Sequence, residues 1–185
     1  ALMHTDAAQS VGKVPVRVDD LGVDLLSVAG HKVYAPKGIG ALYVREGVGL
    51  VPLLHGAGHE GGLRPGTENV LEIVGLGKAC EIAGRDLVAN EEHFRAMRDR
   101  LHEGLLAALG DEVVRLNGHP ELRLPNTLSV SFRRVEANTL LSAIGDEVAA
   151  SAGAACHAGE VDLSAVLRAM QVPVEWAMGT VRFSV

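Results

Sequence analysis

The chain has 185 residues, a formal net charge of −6 and only 3% aromatic residues, with charges of both signs interspersed. That balance excludes a basic nucleic-acid face and an aromatic base-stacking platform, and no apolar run approaches the roughly 20 residues of a membrane helix. At 48% apolar the chain can bury a core in one or two domains, and two cysteines far apart fit a reducing compartment better than a disulfide framework.

The segment MHTDAAQSVGK, residues 3–13, opens with a short strand ending at Asp6, and Gln9 follows near the entry to a helical turn. A carboxylate at a strand end can pair with a protonated ring nitrogen, which is what a pyridoxal cofactor needs. Asp before Ala-Ala-Gln is equally a helix N-cap, and the two readings are compatible. Residues 25–29 and 39–44 read as buried strands, with turn chemistry at Pro36, Gly38 and Gly40 between them. Lys32 stands between these strands at the lip of the apolar run. A desolvated amine there is a candidate Schiff-base former; the alternative is a stem laid on the core with its ammonium in water.

Residues 55–67, HGAGHEGGLRPGT, hold two histidines and a glutamate. They lack the helical i, i+4 presentation of a zinc site, and their glycines suit close approach of backbone to a cofactor or a partner. A helix follows Asn69, with Val70, Ile73, Val74 and Leu76 as its apolar face and Cys80 as a small core residue. A second helix begins around Asn90, carries Phe94, Met97, Leu101, Leu105 and Leu109 at helical spacing, and ends at Gly110.

Beyond it, strands are predicted at 113–116, 127–132, 148–152 and 181–185, and helices at 137–144 and 163–170. Leu128, Val130 and Phe132 alternate with Ser129 and Ser131, the period of a half-buried strand. This mixture predicts a small α+β domain. Cys156 lies in SAGAACHAG, a run of small residues with glycine to move, as a reactive thiol has; an inert thiol in a small-residue turn is the alternative.

The segments HTDAAQSVGK, DLGVDLLSVAGHK, APKGIGALYV, GLRPGTEN, RLPNTLSVSF and SAGAACHAG, in this order, resemble the cysteine desulfurase and selenocysteine lyase family of class V aminotransferases. The resemblance covers essentially the whole chain. It implies an α/β chain: part of the large domain of the pyridoxal phosphate (PLP) fold type I in residues 1–88, then a smaller α+β C-terminal domain in residues 89–185, truncated at its end.

The resemblance also implies site roles. Lys32 is the Schiff-base lysine, Asp6 holds the pyridine nitrogen, Gln9 contacts the phenolic oxygen and His31 the phosphate. Thr67 reaches the phosphate of a partner subunit's cofactor, which implies a homodimer. Arg182 holds the substrate carboxylate, a role suited to a planar fork of donors. Cys156 attacks or protonates the departing chalcogen.

Implied further are L-cysteine or L-selenocysteine as substrate, alanine as product, a sulfur-acceptor or scaffold protein as partner, no bound metal, and a cytoplasmic role in sulfur metabolism and iron–sulfur cluster assembly. Two departures, Ala29 where many desulfurases carry serine and His157 after Cys156, tilt the substrate toward selenocysteine. The N-terminal half that supplies the phosphate loop, the stacking ring and an asparagine has no counterpart here, so the chain reads as a fragment expected to bind PLP poorly. A catalytically silent piece that only dimerises or binds an acceptor, and a thiol hydrolase using Cys156 with a histidine, are the competing classes.

Overall fold

Three short strands form the first sheet: β1 (His4–Asp6), β2 (Leu25–Ala29) and β3 (Gly40–Val44). β1 runs parallel to β2, β2 runs antiparallel to β3, and a four-residue helix, α1 (Val18–Leu21), lies in the β1–β2 connection. Ala7, Val23 and Leu26 are buried together, with Val11, Val16, Val28 and Tyr43 packed around them. Two glycines are required by space. A Cβ on Gly30 would lie 2.7 Å from Ile39 O, and one on Gly40 would lie 2.6 Å from Val28 O. Arg45 ties the far end of β3 back to the sheet, donating to Val23 O at 2.9 Å and to Asp19 Oδ1 at 2.9 Å.

This computed structural model describes the backbone of residues 1–157 and 160–185, and the side chains of residues 1–153 and 163–185. It divides into two units, Ala1–Asn90 and Glu91–Val185. Among the described residues no helix is long and apolar enough to cross a membrane.

Asn69 caps α2 (Val70–Arg85), its side chain accepting from Glu72 N at 3.3 Å. The predicted apolar face forms but is not covered: Val70 and Val74 are each 66% exposed. Cys80, predicted as a core residue, is exposed for the same reason. A three-stranded sheet offers too little apolar surface to bury a 16-residue helix.

α3 (Leu87–Leu109) starts earlier than predicted and ends at Gly110, whose φ is +81°. The second unit then builds β4 (Val114–Leu116), β5 (Thr127–Phe132), α4 (Ala137–Ile144), β6 (Ser151–Ala152), β7 (Ala154–His157), β8 (Glu160–Leu163), α5 (Ala165–Ala169), α6 (Val174–Ala177) and β9 (Thr180–Ser184). The main sheet has the order β4-β5-β9-β6, and β7 and β8 pair as a separate hairpin. Leu128 and Val130, both 0% exposed, pack with Val114, Phe132 and Val181 against Leu101 and Leu105 of α3 and Leu140 of α4.

Three differences from the sequence reading have physical causes. Ser131 on the opposite face of β5 is also fully buried, held by Asn117 Nδ2 at 2.9 Å and Thr180 Oγ1 at 2.7 Å, so the strand is buried on both faces there. The cysteine segment, read as a loop, carries the hairpin: alanines signal strand weakly, and pairing with residues 160–163 supplies the order. Leu163 belongs to β8, so the predicted helix at 163–170 starts at Ala165.

Glu136 precedes α4 and accepts from the Thr139 hydroxyl and N–H at 2.7 and 2.6 Å and from Asn138 N at 3.0 Å. These bonds, the Thr139 hydroxyl's foremost, hold its carboxyl at about 2 against an ordinary 4.5. A group depressed in this way stabilises the fold above its unfolded pKa and loses that contribution as pH falls through the folded one. Glu136→Ala will therefore melt below the parent at neutral pH, and the gap will close as pH drops from 4.5 toward about 2 in a thermal-melt series. Leu128→Ala, by opening a cavity at the centre of the second unit, will cost about 3 kcal/mol in urea unfolding.

Candidate active site

Parallel pairing fixes where chemistry can sit in the first unit, because it brings the carboxyl ends of β1 and β2 to the same edge. Asp6 lies opposite Ser27, and Ala7 N donates to Ser27 O at 3.0 Å. The Asp6 side chain is exposed. Its Oδ1 accepts from Ala8 N at 2.9 Å, an Asx turn in place of a helix cap, and among the described residues its second oxygen meets no hydrogen-bond donor. Gln9 is exposed three residues on. His4 Nε2 and Ser27 Oγ, 2.8 Å apart, cross-brace the two strands.

β2 ends at Ala29 and the chain tightens into a single 3₁₀ turn, Gly30–Val33, that presents His31 and Lys32. Both side chains are exposed. Lys32 is thus not the desolvated amine that its place beside the apolar run suggested. Tyr34 closes the turn in the left-handed region at φ +65°, with its N–H on Gly30 O.

The buried lysine of this region is Lys13, 8% exposed, whose ammonium sits 3.5 Å from the backbone carbonyl of Lys32 and 5.5 Å from the Tyr34 ring centre. Burial pushes its pKa below the ordinary 10.5. Sequence reasoning gave Lys13 no role. Its one signal was a lysine flanked by Val11, Val14 and Val16 after a glycine.

Thr67 is exposed in the segment before α2. There His59 Nδ1 accepts from Gly66 N at 3.3 Å and Arg64 donates to Gly66 O at 3.1 Å, so both side chains are engaged in shaping the loop. Among the described residues no group of three His, Cys, Asp or Glu side chains could hold a metal ion.

The remaining predicted residues belong to the second unit. Arg182 is exposed on β9, opposite Ser129 of β5 and Ser151 of β6, and donates to Ser151 Oγ at 3.3 Å. Cys156 lies in β7 opposite Val161, and its side chain is outside the described ones, as is that of His157. Asp6, Gln9, His31, Lys32 and Thr67 thus share one unit, and Arg182 and Cys156 the other.

The family described as aminotransferase class-V matches residues 1–185. A protein named cysteine desulfurase from Gluconacetobacter diazotrophicus is 49% identical over 185 residues, covering 100% of this chain and 46% of that protein. Among solved structures, one described as a NifS-like protein superposes with a TM-score of 0.86 at 39% identity, over 100% of this chain and 47% of the other. A NifS-like protein from Rickettsia africae gives 0.88 at 28% identity, over 100% and 48%. The mixed α/β architecture is accordingly part of the PLP fold type I, and the chain spans about half the length of the curated relatives it matches.

Lys13 offers a direct check of how the Lys32 turn is held. Lys13→Met keeps the apolar stem and removes the ammonium. The Ala35 amide, which closes the turn on Gly30 O at 3.0 Å, will then exchange with solvent about tenfold faster, the loss of one charge-assisted hydrogen bond.

Proposed function

This chain belongs to the aminotransferase class-V family, and on that premise we propose that it works as part of a PLP-dependent cysteine desulfurase. The observation that carries the reading is the placement of Asp6 at the carboxyl end of β1 and of Lys32 just past that of the adjoining parallel strand β2. The residues present fit the cofactor in kind. Asp6 has one carboxylate oxygen occupied by Ala8 N and one available to a pyridinium nitrogen, and Lys32 offers an exposed amine from a braced turn.

When bound, PLP supplies an electron sink for carbanion chemistry at the substrate α-carbon. The chain supplies the rest. Asp6 keeps the ring nitrogen protonated, Gln9 donates to the phenolic oxygen, and His31 contacts the phosphate. Lys32 anchors the cofactor, then takes the proton from the substrate α-carbon and returns one to the product. The Arg182 fork orients the substrate carboxylate.

Cys156, as thiolate, attacks the sulfur of L-cysteine. An S–S bond forms and the substrate C–S bond breaks. The electron pair stays with the three-carbon skeleton, which is protonated and leaves as alanine, and a persulfide remains on Cys156 for an acceptor protein. Thr67 completes the phosphate site of a second copy in a homodimer. In this reading residues 1–88 are part of the cofactor-binding large domain and residues 89–185 the small C-terminal domain.

Borohydride trapping tests the assignment even where affinity is low. With PLP present, reduction will label the tryptic peptide containing Lys32 above those containing Lys13, Lys37 or Lys78, and Lys32→Ala will lose that label while Cys156→Ala keeps it. Labelling spread evenly over these lysines would overturn the reading.

A further inference from the structure

The joint between the main sheet of the second unit and the β7–β8 hairpin is built differently from the rest of the ladder. β6 pairs with β9 through Ser151 opposite Arg182 and Ala152 opposite Val181. The next residue, Gly153, donates its N–H to Thr180 O at 2.7 Å, and β7 begins at Ala154. Gly153 is therefore the last residue gripped by β9 before the chain turns into the hairpin that carries Cys156.

Its backbone does not need glycine, since its φ lies outside the left-handed region. The space does. A Cβ there would lie 2.6 Å from Thr180 Cγ2 and 2.9 Å from Thr180 Cβ.

Thr180 is not free to yield. It is 2% exposed, and its Oγ1 is 2.7 Å from Ser131 Oγ, which in turn accepts from Asn117 Nδ2 at 2.9 Å. Turning the threonine away would break a buried hydrogen-bond chain. Neither can β9 retreat. Gly179 is seated against Phe132 O so closely that a Cβ would overlap that oxygen, and Phe132 N donates to Gly179 O at 2.9 Å.

We propose that Gly153 and Thr180 form a steric lock that sets the path of the β7–β8 hairpin, which makes both of them positioning residues for Cys156. Arg182 shares a face of β9 with Thr180 and reaches Ser151 Oγ at 3.3 Å. One pair of strands thus fixes both the arginine and the departure of the hairpin. The inference rests on the reading of Cys156 as the sulfur-accepting thiol, whereas the lock rests on packing alone.

The test uses this chain in a Cys80→Ser background, which leaves Cys156 the sole thiol of the two in the sequence. Two rates are measured: amide exchange along the β7–β8 ladder and reaction of the thiol with an aromatic disulfide. Gly153→Ala will raise both by about tenfold or more, the cost of overpacking being released by loosening the joint. Thr180→Ser removes Cγ2 and keeps the hydroxyl, relieving the 2.6 Å contact but not the 2.9 Å contact to Cβ, so the double variant Gly153→Ala/Thr180→Ser will lower both rates about threefold or more from those of Gly153→Ala. Leu128→Ala, which weakens the same sheet opposite Phe183, beyond the residues of β9 that pair with β6, will lower the unfolding midpoint while leaving both rates unmoved under native conditions.

Unchanged rates in Gly153→Ala, or a double variant no slower than Gly153→Ala, would overturn the lock. Should Gly153→Ala fail to fold, the double variant decides: recovery of the fold supports the lock, and no recovery refutes it. Neither rate involves PLP or L-cysteine, so loss of the desulfurase reading and loss of the lock are told apart by separate measurements.

Discussion

The first unit depends on one pairing, β1 parallel to β2. Parallel neighbours need a crossover, and residues 7–24 supply it with Ala7 and Val23 buried beneath and α1 at its end. The consequence is directional. Both strands deliver their carboxyl ends to one edge, so the Asp6 carboxylate and the Lys32 turn arrive there from segments more than twenty residues apart. An antiparallel β1 would have carried Asp6 to the opposite end of β2. The turn is then held from three sides: Gly30 lets Ile39 O approach, Tyr34 closes the 3₁₀ hydrogen bond, and Lys13 sets its buried charge against the Lys32 carbonyl. The cation that was expected to be desolvated is exposed, and a neighbouring one is desolvated in its place. The arrangement leaves Lys32 accessible for covalent chemistry while its backbone stays fixed.

Most elements were legible in the sequence because their signals were local. Strand periodicity at 127–132, the apolar spacing of α3 and the helix at 137–144 each come from a short window, and each formed close to its predicted span. What was not legible is what depends on pairing across the chain. The β7–β8 hairpin draws on alanines with little strand preference and is ordered by its partner strand. The burial of Ser131 requires Asn117, just past the end of β4, and Thr180 of β9 to satisfy its hydroxyl. Lys13 was passed over because flanking valines alone do not mark a lysine for burial; only the tertiary fold places Tyr34 and the Lys32 carbonyl around it. The candidate residues named by resemblance whose side chains are described, Asp6, Gln9, His31, Lys32, Thr67 and Arg182, are all exposed, since solvent-facing chemistry is specified by residue identity at a position more than by packing.

Apolar exposure in the first unit follows the same logic. Val51, Leu53 and Leu71 are 90%, 92% and 84% exposed, far beyond scattered surface leucines. The hydrophobic pattern on α2 is that of a helix with a covered face, yet the sheet of the first unit has only three short strands. The burial mismatch on α2 is therefore one of supply: its apolar stripe is wider than the surface its own unit offers.

The second unit resolves its own packing, and the resolution bears on chemistry. Its sheet is apolar on the face toward α3 and α4 and polar on the other, where Ser129, Ser131, Thr180 and Arg182 align across β5 and β9. Buried hydroxyls cost free energy unless paired, and here each is paired to the next strand, so the polar face holds its register as rigidly as the apolar one. Rigidity on that face matters for two positions the proposed function uses: Arg182 on β9, and the point where the chain leaves β6 for the hairpin of Cys156. A polar face held only by solvent would let β9 slide along β5. The hydroxyl chain from Asn117 through Ser131 to Thr180, backed by Gly179 against Phe132, prevents that slide.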